Sequence, residues 1–286
     1  MSKESHIERT AAEPRDAALH QTIIASIDQT NPSIRIFHLT LPTLGIKFLP
    51  GQWLDVYLPF LPKPGGFTIT SPPSHALYSP SNPNPYVELA VQRSPSNPAA
   101  SYLYQPPSIL LNTPVSVRVG GSFVYPPPGI PQRGLKRVVF VAGGVGVNPL
   151  VSMLSSIAEG PEAAELEVWF LYSMRDPGAP RDVKGMLFVE RIAELFRTGK
   201  LKGGLKLFLT GGGEGGGVVR WEGGDVPFEK RRMGLGDVDE ALGGEKEKAA
   251  VYVCGLPAMT DEFVERLVAD DGLGMEKGSV LSEKWW

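Results

Sequence analysis

Cysteine is almost missing from this chain: Cys254 stands alone among 286 residues. One thiol can form no internal disulfide, no structural zinc site and no cysteine-ligated iron-sulfur cluster, and it suits a reducing compartment. No metal site is therefore expected, and any metal redox centre must belong to another protein. An excess of one charge is missing as well. A formal net charge of −3 gives no global basic field, which argues against nucleic acid as a partner. No apolar run reaches the length of a membrane span, so a soluble protein is expected. Residues Met1 to Leu19 lack the apolar stretch of a secretory signal, and Glu4, Glu8, Glu13 and Asp16 argue against a mitochondrial presequence. Their mixed polar composition implies a disordered tail over 1–19, on an intracellular protein that is cytoplasmic or mitochondrial.

Glycine and proline are plentiful, and they punctuate two different hydrophobic periods. From Gln21 to Val124 short β-type runs follow one another: Gln21 to Ile27, Ile34 to Leu41, Trp53 to Leu58, Gly66 to Thr70, Tyr86 to Gln92 and Val115 to Val119. Six strands with little helix imply a small antiparallel β-barrel. Ser71 to Pro85 reads as a long proline-rich surface loop. Pro126 to Pro131 is a stiff connection and the expected domain boundary. Beyond it strands alternate with helices: Arg137 to Ala142, Asn148 to Ala158, Glu167 to Ser173, Lys184 to Arg197, Leu205 to Thr210, Ala250 to Cys254 and Met259 to Ala269. Such a series implies a parallel sheet with helices on its faces. Gly211 to Lys248 reads as a mobile, glycine-rich insertion with one short helix near Val238 to Leu242. The expected class is thus α+β with two domains: a six-stranded antiparallel barrel over 20–131 and an α/β nucleotide-binding domain over 132–286.

Arg137 to Ala158 is the most informative stretch. Its valine-rich strand runs into Gly143, Gly144 and Gly146, where a turn without Cβ atoms lets backbone N–H groups approach a bulky anion. Pro149 suits the first turn of the following helix, whose N-terminus favours phosphate. A tight turn that merely packs a helix on a sheet fits the same residues equally well. The pattern Gly-Gly-x-Gly-x-x-Pro departs from the usual dinucleotide fingerprint, and Glu167 to Ser173 does not end in an acidic ribose-binding residue, which argues against an ordinary dehydrogenase.

Three further segments fall into place with this one. Gly65-Gly66-Phe67-Thr68-Ile69-Thr70-Ser71 lies in the barrel, Val251 to Met259 holds Cys254-Gly255-Leu256-Pro257, and Ser282-Glu283-Lys284-Trp285-Trp286 closes the chain. In this order, over nearly all of 20–286, the four resemble the ferredoxin-NADP reductase superfamily of flavin and nicotinamide enzymes.

That resemblance implies FAD, held weakly, on the barrel and NAD or NADP on the second domain. Phe67 would pack on the flavin, Thr68 would offer its hydroxyl near N5, and the backbone of Ile69 and Thr70 would bond the ribityl and pyrophosphate groups. Ser101 is the best match to a second flavin element, a serine at the start of a short helix. Gly65 stands where the family has an arginine on the pyrophosphate; Arg93 can replace it if its strand neighbours this one, and Gly65→Arg is expected to raise FAD retention. Gly143, Gly144, Gly146, Asn148 and Pro149 would cradle the nicotinamide cofactor's pyrophosphate. Cys254, Gly255 and Met259 would lie by the nicotinamide, Ser173 and Arg175 by the adenosine ribose or its 2′-phosphate, with NADPH somewhat favoured. Trp285 and Trp286 would cover the flavin, and Glu283 would bring a carboxylate to the reacting ring. Each has a plain alternative: Phe67 and Cys254 as core residues, Arg175 and Glu283 as surface charges, the tryptophans as hydrophobic closure.

The implied function is a flavin-dependent oxidoreductase that passes hydride from NAD(P)H to FAD, with Cys254, Thr68 and Glu283 at the reacting atoms, and electrons on to a one-electron acceptor protein. A non-catalytic NAD(P)-binding regulatory or assembly protein that has lost tight FAD binding is the alternative, motivated by Gly65.

Overall fold

The computed structural model describes residues 5–41, 45–130 and 134–285. Two compact units divide the chain, Met1–Val124 and Tyr125–Trp286.

The first unit begins with a short helix α1 (His6–Arg9) and continues with β1 (His20–Asn31), β2 (Ile34–Thr40), β3 (Trp53–Tyr57), β4 (Gly65–Thr68) and β5 (Tyr86–Gln92). Two short helices, α2 (Pro98–Tyr102) and α3 (Pro107–Leu110), precede β6 (Pro114–Gly120). All six strands pair antiparallel in the order β4-β3-β6-β1-β2-β5. The two edges meet just past β4, where Ile69 bridges Leu89 and Thr70 N donates to Glu88 O at 2.8 Å. Alternation decides the faces. Leu54 and Val56 of β3 pair with Phe67 and Gly65 and with Val119 and Val117, and Leu54, Val56, Phe67, Val117 and Val119 lie in the buried core. Trp53, Asp55, Gly66, Thr68 and Arg118 therefore face outward.

The outward face is covered by the segment expected as a disordered tail. His6 Nε2 lies 3.0 Å from Asp55 Oδ1, while Arg15 Nε and Arg118 Nη2 reach Asp55 Oδ2 at 3.1 and 2.7 Å. The His6 ring meets Trp53 edge-on at 4.6 Å, and Asp16 N donates to Val119 O at 2.9 Å. A polar segment docks here because a fully buried carboxylate on β3 needs cationic partners. The proline-rich loop after Ser71 is also anchored: the Asn82 side-chain amide donates to His75 O and Leu77 O at 3.0 and 2.9 Å.

In the second unit β7 (Arg137–Gly143), α4 (Val147–Glu159), β8 (Glu167–Arg175), α5 (Val189–Arg197) and β9 (Lys202–Thr210) lead to a hairpin of β10 (Gly216–Trp221) and β11 (Gly224–Glu229). Then come α6 (Leu235–Leu242), β12 (Ala249–Gly255), α7 (Pro257–Val268) and β13 (Val280–Lys284). The sheet order is β10-β11-β9-β8-β7-β12-β13, parallel throughout except at β10. At its centre Val138 to Ala142 are wholly buried, as a run covered on both faces must be.

Four expectations change here. The glycine-rich insertion is not a linker: its hairpin adds two strands to the sheet, and α6 is tied back by Arg231, which donates to both carboxylate oxygens of Asp237 (2.7 and 2.6 Å) and stacks over Phe208. Strand β13 was not expected at all. The second helix begins only at Val189, after Phe188 in a left-handed conformation (φ 60°). Strand β8 runs two residues past Ser173, to Arg175. Pro131, the far end of the expected boundary, lies outside the described residues.

Candidate functional site

Adjacent parallel strands β7 and β12 end together, Ala142 opposite Cys254, and place two glycine turns side by side. A Cβ on Gly146 would overlap the Cys254 carbonyl oxygen, so only glycine lets the first turn pass this close to β12. Gly144 has a left-handed backbone (φ +54°), and a Cβ there would meet nothing within 4 Å. The turn thus packs through Gly146 and leaves Gly144 open at the N-terminus of α4, whose cap, Gly146, supplies no side-chain acceptor. Asn148 and Pro149 are buried in the first turn of that helix. Met259, in the first turn of α7, sits against Gly143 and Gly255.

Register brings Glu283 of β13 opposite Cys254. Trp285 N donates to Gly255 O at 3.0 Å, and its indole Nε1 donates to Glu283 Oε2 at 3.1 Å. The Cys254 thiol is fully buried. Burial, then the Glu283 charge, pushes its pKa well above the ordinary 9.0 against a hydrogen bond with Trp285. Cys254, Glu283 and Trp285 are thus one cluster, with the thiol held protonated. Trp286 lies outside the described residues.

Ser173 and Arg175 share one face of β8, half-buried and exposed respectively. Asp176, which follows at once, is the residue that sequence reasoning missed, because the strand was ended two residues early. Its carboxylate accepts from Arg181 Nε and Nη2 at 2.9 and 2.6 Å and from Gly178 N at 3.0 Å, with Lys230 Nζ 3.8 Å away. The Arg181 hydrogen bonds chiefly hold its pKa below the ordinary value.

On the barrel the expected residues divide. Phe67 is 7% exposed and packs in the core. Thr68 is buried, and its Oγ1 has no hydrogen-bond partner among the described residues. Ile69 N and Thr70 N donate to Gln52 O and Glu88 O at 3.0 and 2.8 Å, and Thr70 Oγ1 donates to Glu88 Oε1 at 2.6 Å. Their backbone donors are therefore committed within the barrel. Ser101 does not start its helix: it is the fourth residue of α2, exposed, and the cap is Asn97.

No family model matches the chain. It is 27% identical over 303 residues to the Homo sapiens oxidoreductase NAD-binding domain-containing protein 1, covering 99% of this chain and 85% of that one. It is also 27% identical over 251 residues to the reductase component of propane 2-monooxygenase from Rhodococcus jostii, covering 84% of this chain and 56% of that one. A solved ferredoxin NADP+ reductase from Neisseria gonorrhoeae, with bound FAD and NADP, superposes with a TM-score of 0.66 at 16% identity over 95% of this chain and all of that one.

The chain has the ferredoxin-NADP reductase fold. In that fold the chain fits its two groups unequally. The open Gly144 face at the start of α4 suits a dinucleotide's pyrophosphate. The Thr68 hydroxyl has no partner among the described residues, but it is wholly buried on the face that the N-terminal segment covers. The diphosphate of FAD finds no such match: Gly65 carries no side chain, and a Cβ there would overlap Ala99 Cβ of α2 and come within 2.7 Å of the Phe67 ring.

Proposed function

We propose that the chain is an NAD(P)H-dependent oxidoreductase that delivers reducing equivalents to a flavin and on to a one-electron acceptor protein. The observation that carries this is the cluster of Cys254, Glu283 and Trp285 beside an open glycine turn, all at the C-terminal ends of parallel strands, where open α/β sheets take their ligands. When bound, the flavin supplies a hydride acceptor that can release electrons singly. The chain's own residues bind and orient. Gly143, Gly144, Gly146, Asn148 and Pro149 receive the nucleotide's pyrophosphate, while Ser173, Arg175 and Asp176 face its adenosine. Cys254, Gly255, Met259, Glu283 and Trp285 form the nicotinamide end. Burial keeps the Cys254 thiol neutral, so it acts as a close apolar wall rather than a nucleophile. Phe67 supports the flavin strand from the core, and Thr68 offers its hydroxyl to the ring.

Cys254→Ser tests this role. Nucleotide affinity should change by no more than about threefold, while the single-turnover rate of NAD(P)H oxidation should fall about tenfold or more, because the geometry at the reacting carbon is disturbed and binding elsewhere is not. An unaltered rate constant would return Cys254 to a purely packing role. One observation favours a second reading: the missing diphosphate match on the barrel suits a regulatory or assembly protein that binds the nucleotide alone. A protein that binds NAD(P)H but no flavin of any kind would establish it.

A further inference from the structure

Two sulfur atoms stand at the nucleotide end of the second unit, and their surroundings differ. Cys254 is fully buried and its thiol is held protonated, so it presents no thiolate to an oxidant. Met259 is half-buried, and a thioether needs no deprotonation before it is oxidised. Its Sδ is wedged between the two glycine turns. A Cβ on Gly143 would lie 2.5 Å from that sulfur and one on Gly255 would lie 3.1 Å from it, so the side chain fills the notch that two missing Cβ atoms leave. The turns also meet each other there, because a Cβ on Gly255 would come within 3.2 Å of Gly143 Cα. The rest of Met259 packs on the apolar cluster that holds Val253 and Phe263. Toward the glycines the sulfur therefore has no space for a further heavy atom. Among the other described methionines, Met153, Met186, Met233 and Met275 are buried and Met174 is half-buried.

We propose that Met259 is a redox-sensitive element of the nucleotide site, oxidised reversibly by hydrogen peroxide with loss of nucleotide binding. This rests on the nucleotide reading given above. The thioether sulfur takes one oxygen from the peroxide: the O–O bond breaks, an S–O bond forms, sulfur gives up two electrons and water leaves. The product is polar and carries an extra atom in an apolar notch that is already full. Either Met259 leaves its seat or the Gly143–Gly146 turn is pushed away from the end of β12, and both changes disturb the open Gly144 face at the start of α4. Reduction of the sulfoxide restores the wedge.

The test is calorimetric titration of the full chain with NAD+ and NADP+, before and after graded treatment with hydrogen peroxide whose excess is removed by catalase. Peptide mass spectrometry follows Met259 sulfoxide in the same samples. The oxidised chain is expected to bind both nucleotides about tenfold or more weaker, the cost of overpacking a tight contact. The loss should track the fraction of Met259 sulfoxide, and the two methionine sulfoxide reductases, one for each epimer, should reverse it. Met259→Leu has an affinity of its own, which peroxide should leave unchanged, whereas Met174→Leu should lose affinity on treatment as the wild type does. Met259 sulfoxide with unchanged affinity would overturn the inference. So would lost affinity while Met259 stays unmodified, or equal peroxide sensitivity in Met259→Leu. If the untreated chain binds neither nucleotide, the nucleotide reading itself is wrong and the inference falls with it.

Discussion

Arg175 and Asp176 carry opposite charges to the end of β8, where a dinucleotide keeps its adenosine ribose. An acid at this point normally accepts from the ribose 2′-hydroxyl and repels a 2′-phosphate. Here Arg181 holds both oxygens of Asp176, and on the proposed reading this leaves Arg175 to set the preference. Arg175→Ala should weaken NADPH about tenfold and spare NADH, whereas Arg181→Ala should release Asp176 and favour NADH by a similar factor. Calorimetric titration of both variants with both nucleotides decides the matter; equal losses for the two cofactors would remove the basis for the assignment. At this scale the sequence pattern is only partly informative. Cys254 is placed at a strand end by its motif, whereas Glu283 comes opposite it only through β13, a strand that no pattern announces. Asp176 is not legible, because the β-type run reads as ending at Ser173 whereas β8 continues to Arg175. Gly65 is legible as a missing arginine, yet the reason an arginine cannot be restored is a contact with Ala99, far along the chain. Gly65→Arg would force β4 and α2 apart, so the expected rise in FAD retention is withdrawn.

Among the elements, the N-terminal segment departs furthest from its composition. Burial alone would raise the pKa of Asp55, but the His6 hydrogen bond, then that of Arg118, and the Arg15 charge overcome it and hold the carboxyl below its ordinary 3.8. A carboxyl whose folded pKa is depressed contributes stability above its unfolded value and loses it as pH falls through the folded one. The unit should therefore be firm at neutral pH and lose this contribution below about pH 4. Asp55→Asn should cost about 3–5 kcal/mol, since two arginines lose their buried partner. Gly66 offers a sharper probe, because a Cβ there would overlap the His6 ring. Gly66→Ala should cost about 1–3 kcal/mol in the wild-type chain and much less in a His6→Ala background, as read from urea unfolding midpoints. Additive costs would mean that His6 does not rest on Gly66. No pattern of polar residues announces such docking, which is why 1–19 reads as a tail. The six barrel strands, by contrast, are legible because each is a short β-type run bounded by proline, glycine or asparagine. The β10–β11 hairpin is hidden by Gly216, Gly217 and Gly224, residues with poor strand propensity whose pairing is decided by the neighbouring β9.

The order of motifs along the chain already outlines the two units, an antiparallel six-stranded sheet followed by a mostly parallel seven-stranded one with an open glycine turn at the start of α4. No helix among the described residues is long and apolar enough to cross a membrane. The central claim is that reducing equivalents pass from nicotinamide to flavin on this chain. Anaerobic mixing of the full chain with FAD or riboflavin and then NADH or NADPH, followed by visible flavin absorbance, tests it most directly. The account predicts that the flavin bleaches at a rate that saturates with nucleotide, and more slowly in Cys254→Ser. Flavin that stays oxidised with both nucleotides, at concentrations where both are bound, would contradict it.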